Sequence, residues 1–243
     1  MERLKHIVMF SGGASSSVMA EMVVKEHGRE NTVLLFTPTY AEHKDADRFR
    51  HQVANRLEMP ITVVADGRDL WTLIEENNCL PGFHIPFCTT ELKIKQSRKY
   101  WKMINDDFIV YFGYGMEEWR RVQKQLARLE IEGVKSKYPV FDKKITNDEV
   151  KRIIREEWKI CLPEPYKYLE HNNCIPCFKG GKGHFEKVAR YYPNEFKRAM
   201  ALEEKIGYTV FKDITLKEIW ERVQSSKELL FDDDYVIPCM CAD

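Results

Sequence analysis

The chain has 243 residues, 44% hydrophobic and 31% charged, a balance that builds a core and excludes a disordered or low-complexity polymer. Its 38 basic residues are matched by 38 acidic ones, so indiscriminate coating of nucleic acid is excluded, although a local basic groove is not. No apolar run approaches the roughly 20 residues that span a bilayer, and the N-terminus lacks a signal peptide's apolar stretch and cleavage site, so a cytoplasmic location is the expectation.

Lys5–Phe10 reads as a short buried strand that runs into Ser11-Gly12-Gly13. The next stretch places Val18, Met19, Met22 and Val23 on one helical face, with serines at its start and Gly28 after its end. Thr32–Phe36 is a second strand. Lys44–Leu57 repeats the helical spacing through Ala46, Phe49, Val53 and Leu57, Ile61–Val64 is a third strand, and Leu70–Glu76 suits a helix. Phe108–Phe112 is a fourth strand, followed by a Gly-Tyr-Gly turn.

Short apolar strands alternating with amphipathic helices predict an α/β fold with a doubly wound, mostly parallel sheet. From Val140 the pattern is helical. Thr146–Glu149 and Thr215–Glu218 both read as capping boxes, in which a Thr hydroxyl and a Glu carboxylate satisfy free backbone N–H groups. The expected organisation is therefore an α/β core over residues 1–140 and a mostly helical part over 141–243, packed as one unit.

The sharpest local signal is the run Ser11-Gly12-Gly13-Ala14-Ser15-Ser16-Ser17 between the first strand and the first helix. Glycines let the backbone approach a phosphate, and the N–H groups of a helix start are unpaired and favour an anion. The serine hydroxyls are read as further donors. The loop lacks the Lys of a Walker loop and the spacing of a dinucleotide fingerprint.

This loop resembles the SGGxDS loop of the PP-loop ATP pyrophosphatases, the adenine nucleotide alpha-hydrolase superfamily, with Ser15 at the usual Asp position. Further segments resemble the PAPS-reductase-like branch in the same order: Thr37–His43 with Asp47-Arg48-Phe49, Phe87–Lys93, Gly113–Arg121, Tyr138-Pro139-Val140, Pro165-Tyr166 and Cys174–Cys177. The resemblance implies an adenine nucleotide, ATP with Mg²⁺, whose phosphates lie on Ser11, Gly12, Gly13, Ser15 and Ser16, bordered by Thr37 and Glu42. It implies that a substrate oxygen attacks the α-phosphorus, pyrophosphate leaves, and the adenylated substrate is open to a sulfur nucleophile. Lys93, Arg120 and Arg121 are the candidates for the positive charge that this needs. Glu42 and Asp45 are weaker candidates for a Mg²⁺ or ribose contact.

The chain has seven cysteines, and Cys174 and Cys177 form a C-x-x-C pair suited to metal or redox work. Cluster-bearing sulfonucleotide reductases pair such a motif with a distant Cys-Cys. Here Cys88 matches the first cysteine, Thr89 replaces the second, and Cys161 is the candidate for a fourth thiolate. A 4Fe-4S cluster on Cys88, Cys161, Cys174 and Cys177 is the leading expectation. A redox or persulfide-carrying thiol set and a zinc site stay open beside it. The tail cysteines, Cys239 and Cys241, lack the E-C-G-[IL]-H context of the reductases, and sulfur relay from a cysteine desulfurase is the reading kept for them.

Three basic runs interleaved with aromatics, Lys93–Lys102, Arg120–Arg128 and Lys179–Arg190, suggest a groove for DNA or RNA beside the nucleotide. The leading expectation is thus a sulfur-inserting ATP pyrophosphatase acting on nucleic acid, of the kind that takes part in DNA phosphorothioation. The alternatives are an adenylyl-sulfate or PAPS reductase and a non-catalytic nucleotide- or zinc-binding module. A homodimer is carried as the expected assembly, although no residue pattern states it.

Overall fold

The computed structural model describes residues 4–82, 84–226 and 228–231. Cys239 and Cys241 lie outside the described residues. Five parallel strands, β1 (Lys5–Met9), β2 (Thr32–Phe36), β3 (Ile61–Val63), β4 (Phe108–Tyr111) and β5 (Ser136–Lys137), form one sheet in the order β3-β2-β1-β4-β5. The register sets Val8 against Leu34 and Tyr111. Strand β5 carries no apolar run and escapes detection in the sequence. It exists because Ser136 and Lys137 pair with Val110 and Tyr111 of β4.

A parallel sheet is covered on both faces, and alternate residues of each strand serve the two faces. Val8, Leu34 and Tyr111 join a core with α1 (Ala14–His27) and α2 (Lys44–Arg56). Ile7, Leu35 and Val110 turn the other way, toward α5 (Lys95–Lys102) and α6 (Trp119–Ile131). A third core joins α3 (Leu70–Asn77) to the helices α9 (Lys182–Tyr191), α10 (Pro193–Ile206) and α11 (Leu216–Ser225) through Trp71, Ile74, Phe185, Phe196 and Ile219. Two of the three cores therefore cross residue 140, since Val150, Ile154 and Trp158 also pack with the residues of α1.

The remaining helical pieces are short. The α4 turn (Phe87–Thr89), a π turn over Thr90–Ile94 and α5 run on from one another. After α7 (Pro139–Asp142), α8 (Asn147–Arg152) begins at a capping box: Thr146 Oγ1 accepts from Glu149 N at 3.2 Å, and Glu149 Oε2 accepts from Thr146 N at 2.9 Å. Thr215 and Glu218 make the same reciprocal pair at α11. No helix among the described residues is long and apolar enough to cross a membrane.

The strand order has one functional consequence. The chain moves outward from β1 to β3, then returns to place β4 on the other side of β1. The segments leaving β1 and β4 diverge, and open α/β sheets bind ligands in the crevice formed there.

Candidate functional site

At that crevice lies a cleft of about 310 Å³. Its floor is the loop after β1. Gly12 has φ +81°, and a Cβ there would sit 2.5 Å from Arg50 Cγ, so only glycine suits the turn. Gly113, just past β4, is equally constrained: its Cβ would lie 2.6 Å from the backbone of Ser16. The two divergent loops thus touch backbone to backbone.

The serines do something other than the sequence reading supposed. Ser16 and Ser17 Oγ each donate to Gly13 O at 2.9 Å, and Ser11 Oγ accepts from Gly13 N at 3.3 Å. Ser15 Oγ donates to Asn147 Oδ1 at 3.2 Å. The hydroxyls brace the turn. The first turn of α1 still leaves backbone N–H groups without intrahelical acceptors, and those of Ser15 and Ser16 are the groups of this loop suited to meet an anion. Ala14 N donates to Tyr166 Oη at 3.1 Å, and Asn172 Nδ2 donates to Gly12 O at 3.0 Å.

The walls come from both halves of the chain. Ser11, Gly13, Ser15, Ser16, Thr37, Glu42, Lys93 and Arg121 all line the cleft. Gly12 is buried beneath the loop. Arg120 is a correction: it is exposed, outside the cleft lining, with its guanidinium 5.1 Å from the Trp119 ring centroid. Successive helical residues differ by about 100° in direction, so only one of two neighbouring arginines on α6 faces inward. That one is Arg121, which pairs with Glu118 and lies over the Tyr114 ring.

Asp45 is also corrected. Its carboxylate bonds Arg48 at 2.6 Å and accepts from Glu164 N at 2.8 Å, away from the cleft. The Arg48 hydrogen bond holds its pKa down to about 2. It clamps two loops together.

Sequence reasoning missed Asn147, Lys151, Glu170, His171, Asn172 and Asn173, which complete the cleft. Asn147 and Lys151 are spaced i, i+4 on α8, a signal visible only once that helix is known to face the loop. Asn172 Oδ1 and Asn173 Nδ2 are buried without partners among the described residues, as suits groups that meet a ligand.

Beside the cleft is a second, smaller cavity lined by Cys88, Cys174 and Cys177 together with Thr39, Thr89, Lys93 and Lys179. Lys93 lies on the π turn and lines both cavities. Such turns recur at functional sites because they displace one residue from the regular helical face. The loop after β2 is tied to the C-x-x-C segment: Glu42 bridges Cys174 backbone to backbone, Ile175 N donates to Ala41 O at 2.9 Å, and Thr39 Oγ1 lies 3.0 Å from Cys174 Sγ.

Burial, with Glu42 nearby, pushes the Cys174 thiol well above its ordinary pKa, and burial does the same to Cys177. Lys179 Nζ donates to Thr89 Oγ1 at 2.8 Å, and His184 Nε2 accepts from Cys177 N at 3.0 Å. His184 is buried and held neutral, its pKa lowered to about 3, so it adds no charge to a basic face.

Cys161 does not join these thiols. It is exposed, and its carbonyl accepts from Arg48. The expected four-cysteine set is not assembled, because the segment carrying Cys161 packs against α2 rather than the C-x-x-C loop. No three His, Cys, Asp or Glu side chains among the described residues converge to hold a metal ion. Three soft thiols with two buried ammonium groups do match the donor chemistry of an anionic iron–sulfur cluster. The match is one of donor type and not of preformed space, since the cavity is about 20 Å³.

The three basic runs are largely neutralised within the protein. Lys95 pairs with Glu91, Arg98 and Arg128 with Glu132, Lys182 with Asp213, and Arg190 with the buried Glu186.

A sequence profile of the phosphoadenosine phosphosulfate reductase domain matches residues 5–141, more than half of the chain. A comparison with curated proteins finds no match. Among solved structures, a U34-tRNA thiolase, NcsA from Methanococcus maripaludis with its 4Fe-4S cluster, is similar at 15% identity. The likeness covers 90% of this chain and 81% of that one, with a TM-score of 0.46, too distant to carry an argument about chemistry. The profile match, spanning both cleft-forming loops and ending just past β5, makes this chain a member of the phosphoadenosine phosphosulfate reductase domain family.

Proposed function

We propose that the cleft binds ATP with Mg²⁺ and that the chain adenylates a nucleic-acid acceptor for sulfur insertion. The observation that carries this reading is Lys93, a nearly buried cation forming part of the wall of both the cleft and the cysteine cavity. An acceptor oxygen attacks the α-phosphorus, the bond to the bridging β-phosphate oxygen breaks, and pyrophosphate leaves. The backbone N–H groups of Ser15 and Ser16 hold phosphate oxygens, and Lys93 and Arg121 offset the developing charge. A sulfur nucleophile then displaces AMP from the acceptor.

Cys88, Cys174 and Cys177 are the residues that would hold an iron–sulfur cluster, which would supply a sulfur-binding iron at this position. Without it the same thiols serve as persulfide carriers loaded by a cysteine desulfurase. Nucleic acid, DNA in a phosphorothioation-type reaction or RNA, is the acceptor class.

The family match favours a second reading, a reductase that releases sulfite from a sulfated adenylate. One experiment separates the two. Protein purified without oxygen is given ATP with nucleic acid and assayed for pyrophosphate. In parallel it is given adenylyl sulfate or PAPS with a thiol reductant and assayed for sulfite. Pyrophosphate release supports the first reading. Sulfite release overturns it in favour of the second, and neither product leaves a nucleotide-binding module.

A further inference from the structure

The first turn of α6 presents an exposed aromatic surface at the rim of the cleft. Trp119 is 47% exposed and Met116 46% exposed, while their chain neighbours Glu118 and Arg121 line the cleft itself. The Arg120 guanidinium lies 5.1 Å from the Trp119 ring centroid. Lys124 follows one helical turn after Arg120, on the same side of α6. The turn carrying Lys143 and Lys144 is fastened alongside, because Met116 N donates to Ile145 O at 3.0 Å.

Arg120, Lys124, Lys143 and Lys144 make no ion pair among the described residues, and unlike Lys99 and Lys102, which also make none, they lie beside an exposed indole at the cleft rim. The local carboxylates are largely committed elsewhere. Glu117 accepts from Asn147 N, Glu118 holds Gly115 N and Arg121, Glu149 caps α8, and Asp148 pairs with Lys151. Glu117, Glu149 and Asp142 keep their charges on this exposed surface, and the four cations stand near them without an ion pair.

We infer that this rim is the docking surface for single-stranded nucleic acid, with one unpaired base stacked on Trp119 and flanking phosphates met by Arg120, Lys124, Lys143 and Lys144. The inference rests on the proposed function and deepens it by assigning the acceptor's place. An exposed indole beside an arginine offers a π face and a cation, which bind bases without regard to sequence. The uncommitted cations supply the salt-dependent phosphate contribution. Stacking requires a base outside a duplex, which selects single strands over double helices.

The test uses the full chain and fluorescein-labelled mixed-sequence RNA and DNA of about 12 nucleotides. Anisotropy should show salt-dependent binding. Trp119→Ala should weaken it by about 5- to 150-fold, and Trp119→Phe should restore most of the loss. The double variant Lys143→Gln, Lys144→Gln should flatten the plot of log affinity against log salt by about 1.4. Absence of oligonucleotide binding, or binding that ignores both the Trp119→Ala and the lysine variants, overturns the inference.

The same preparations are tested for stabilisation by ATP and for pyrophosphate release. If ATP is bound and cleaved while oligonucleotides are not held at this rim, the surface falls and the proposed function stands. If the variants behave as expected but ATP is neither bound nor cleaved, the surface stands and the proposed function falls.

Discussion

Lys93 Nζ lies 3.8 Å from Glu42 Oε1, and both side chains are almost wholly buried. The Glu42 carboxylate is further held by Thr39 N, 3.1 Å from Oε1 and 3.2 Å from Oε2. Two elements far apart in the chain, the loop after β2 and the π turn before α5, thereby meet at the partition between the cleft and the cysteine cavity.

Removing one member of a buried pair leaves the other charge uncompensated. Lys93→Met should destabilise the protein by about 3 kcal/mol and abolish turnover. In the double variant Lys93→Met, Glu42→Gln, the neutral amide still accepts from Thr39 N. Stability should return by more than half while turnover stays lost. Urea unfolding read beside pyrophosphate release checks both halves.

The glycines separate fold from binding. A Cβ at Gly13 meets nothing nearer than Ser11 Oγ at 3.5 Å, so Gly13→Asp should fold. Its carboxylate repels phosphate, and the stabilisation of about 2.7 kcal/mol that ATP gives at a hundredfold excess over Kd should vanish. Gly113→Ala places a methyl 2.6 Å from Ser16 backbone and should itself cost about 2 kcal/mol. Thermal melts with and without ATP distinguish the two.

Acid should unfold the protein in two windows. His6 is buried beside Tyr111, with Nδ1 2.8 Å from the phenol oxygen. Burial, with His27 and Lys137 nearby, lowers its pKa from 6.5 to about 4. The folded state therefore resists protonation, so stability is full above about pH 6.5 and declines as the pH falls toward 4. Asp45, held down from 3.8 to about 2 by its Arg48 hydrogen bond, adds stability above 3.8 that is lost as the pH falls through 2. Melting temperature followed against pH should lose its upper step in His6→Gln and its lower step in Asp45→Asn.

The cysteine cavity predicts a sorting of four variants. After anaerobic reconstitution with iron and sulfide, Cys88→Ser, Cys174→Ser and Cys177→Ser should each lose most of the iron bound by the parent protein. Cys161→Ser should keep it, since that residue is exposed and elsewhere. Iron and sulfide analysis with visible absorbance reads the result. Iron lost equally from Cys161→Ser would restore the four-cysteine set.

Much of the scaffold was legible because it is written in short-range physics. Short apolar runs and period-3.6 apolar spacing placed four strands and the first helices within a residue or so of their observed ends. Two capping boxes were readable from Thr and Glu three residues apart. Strand β5 was not, because two polar residues become a strand only through the neighbour they pair with. The Gly-Gly turn reads as an anion cradle with serine donors, yet the serine hydroxyls bond within the turn, since a serine three or four residues after a helix-starting carbonyl can bond back to it.

The amino-acid sequence by itself determined the alternation of strands and helices, the glycine turn after the first strand and the membership of a family whose motifs recur in order. Only the tertiary structure decided that Arg121 faces the cleft and Arg120 does not, that Cys161 stands apart from the other thiols, and that Lys93 is common to two cavities. The reason is range: the contact of Tyr166 with Ala14 spans 152 residues and that of Cys174 with Thr39 spans 135. Contacts so distant are set by how the sheet orders its strands and how the later helices pack back upon it.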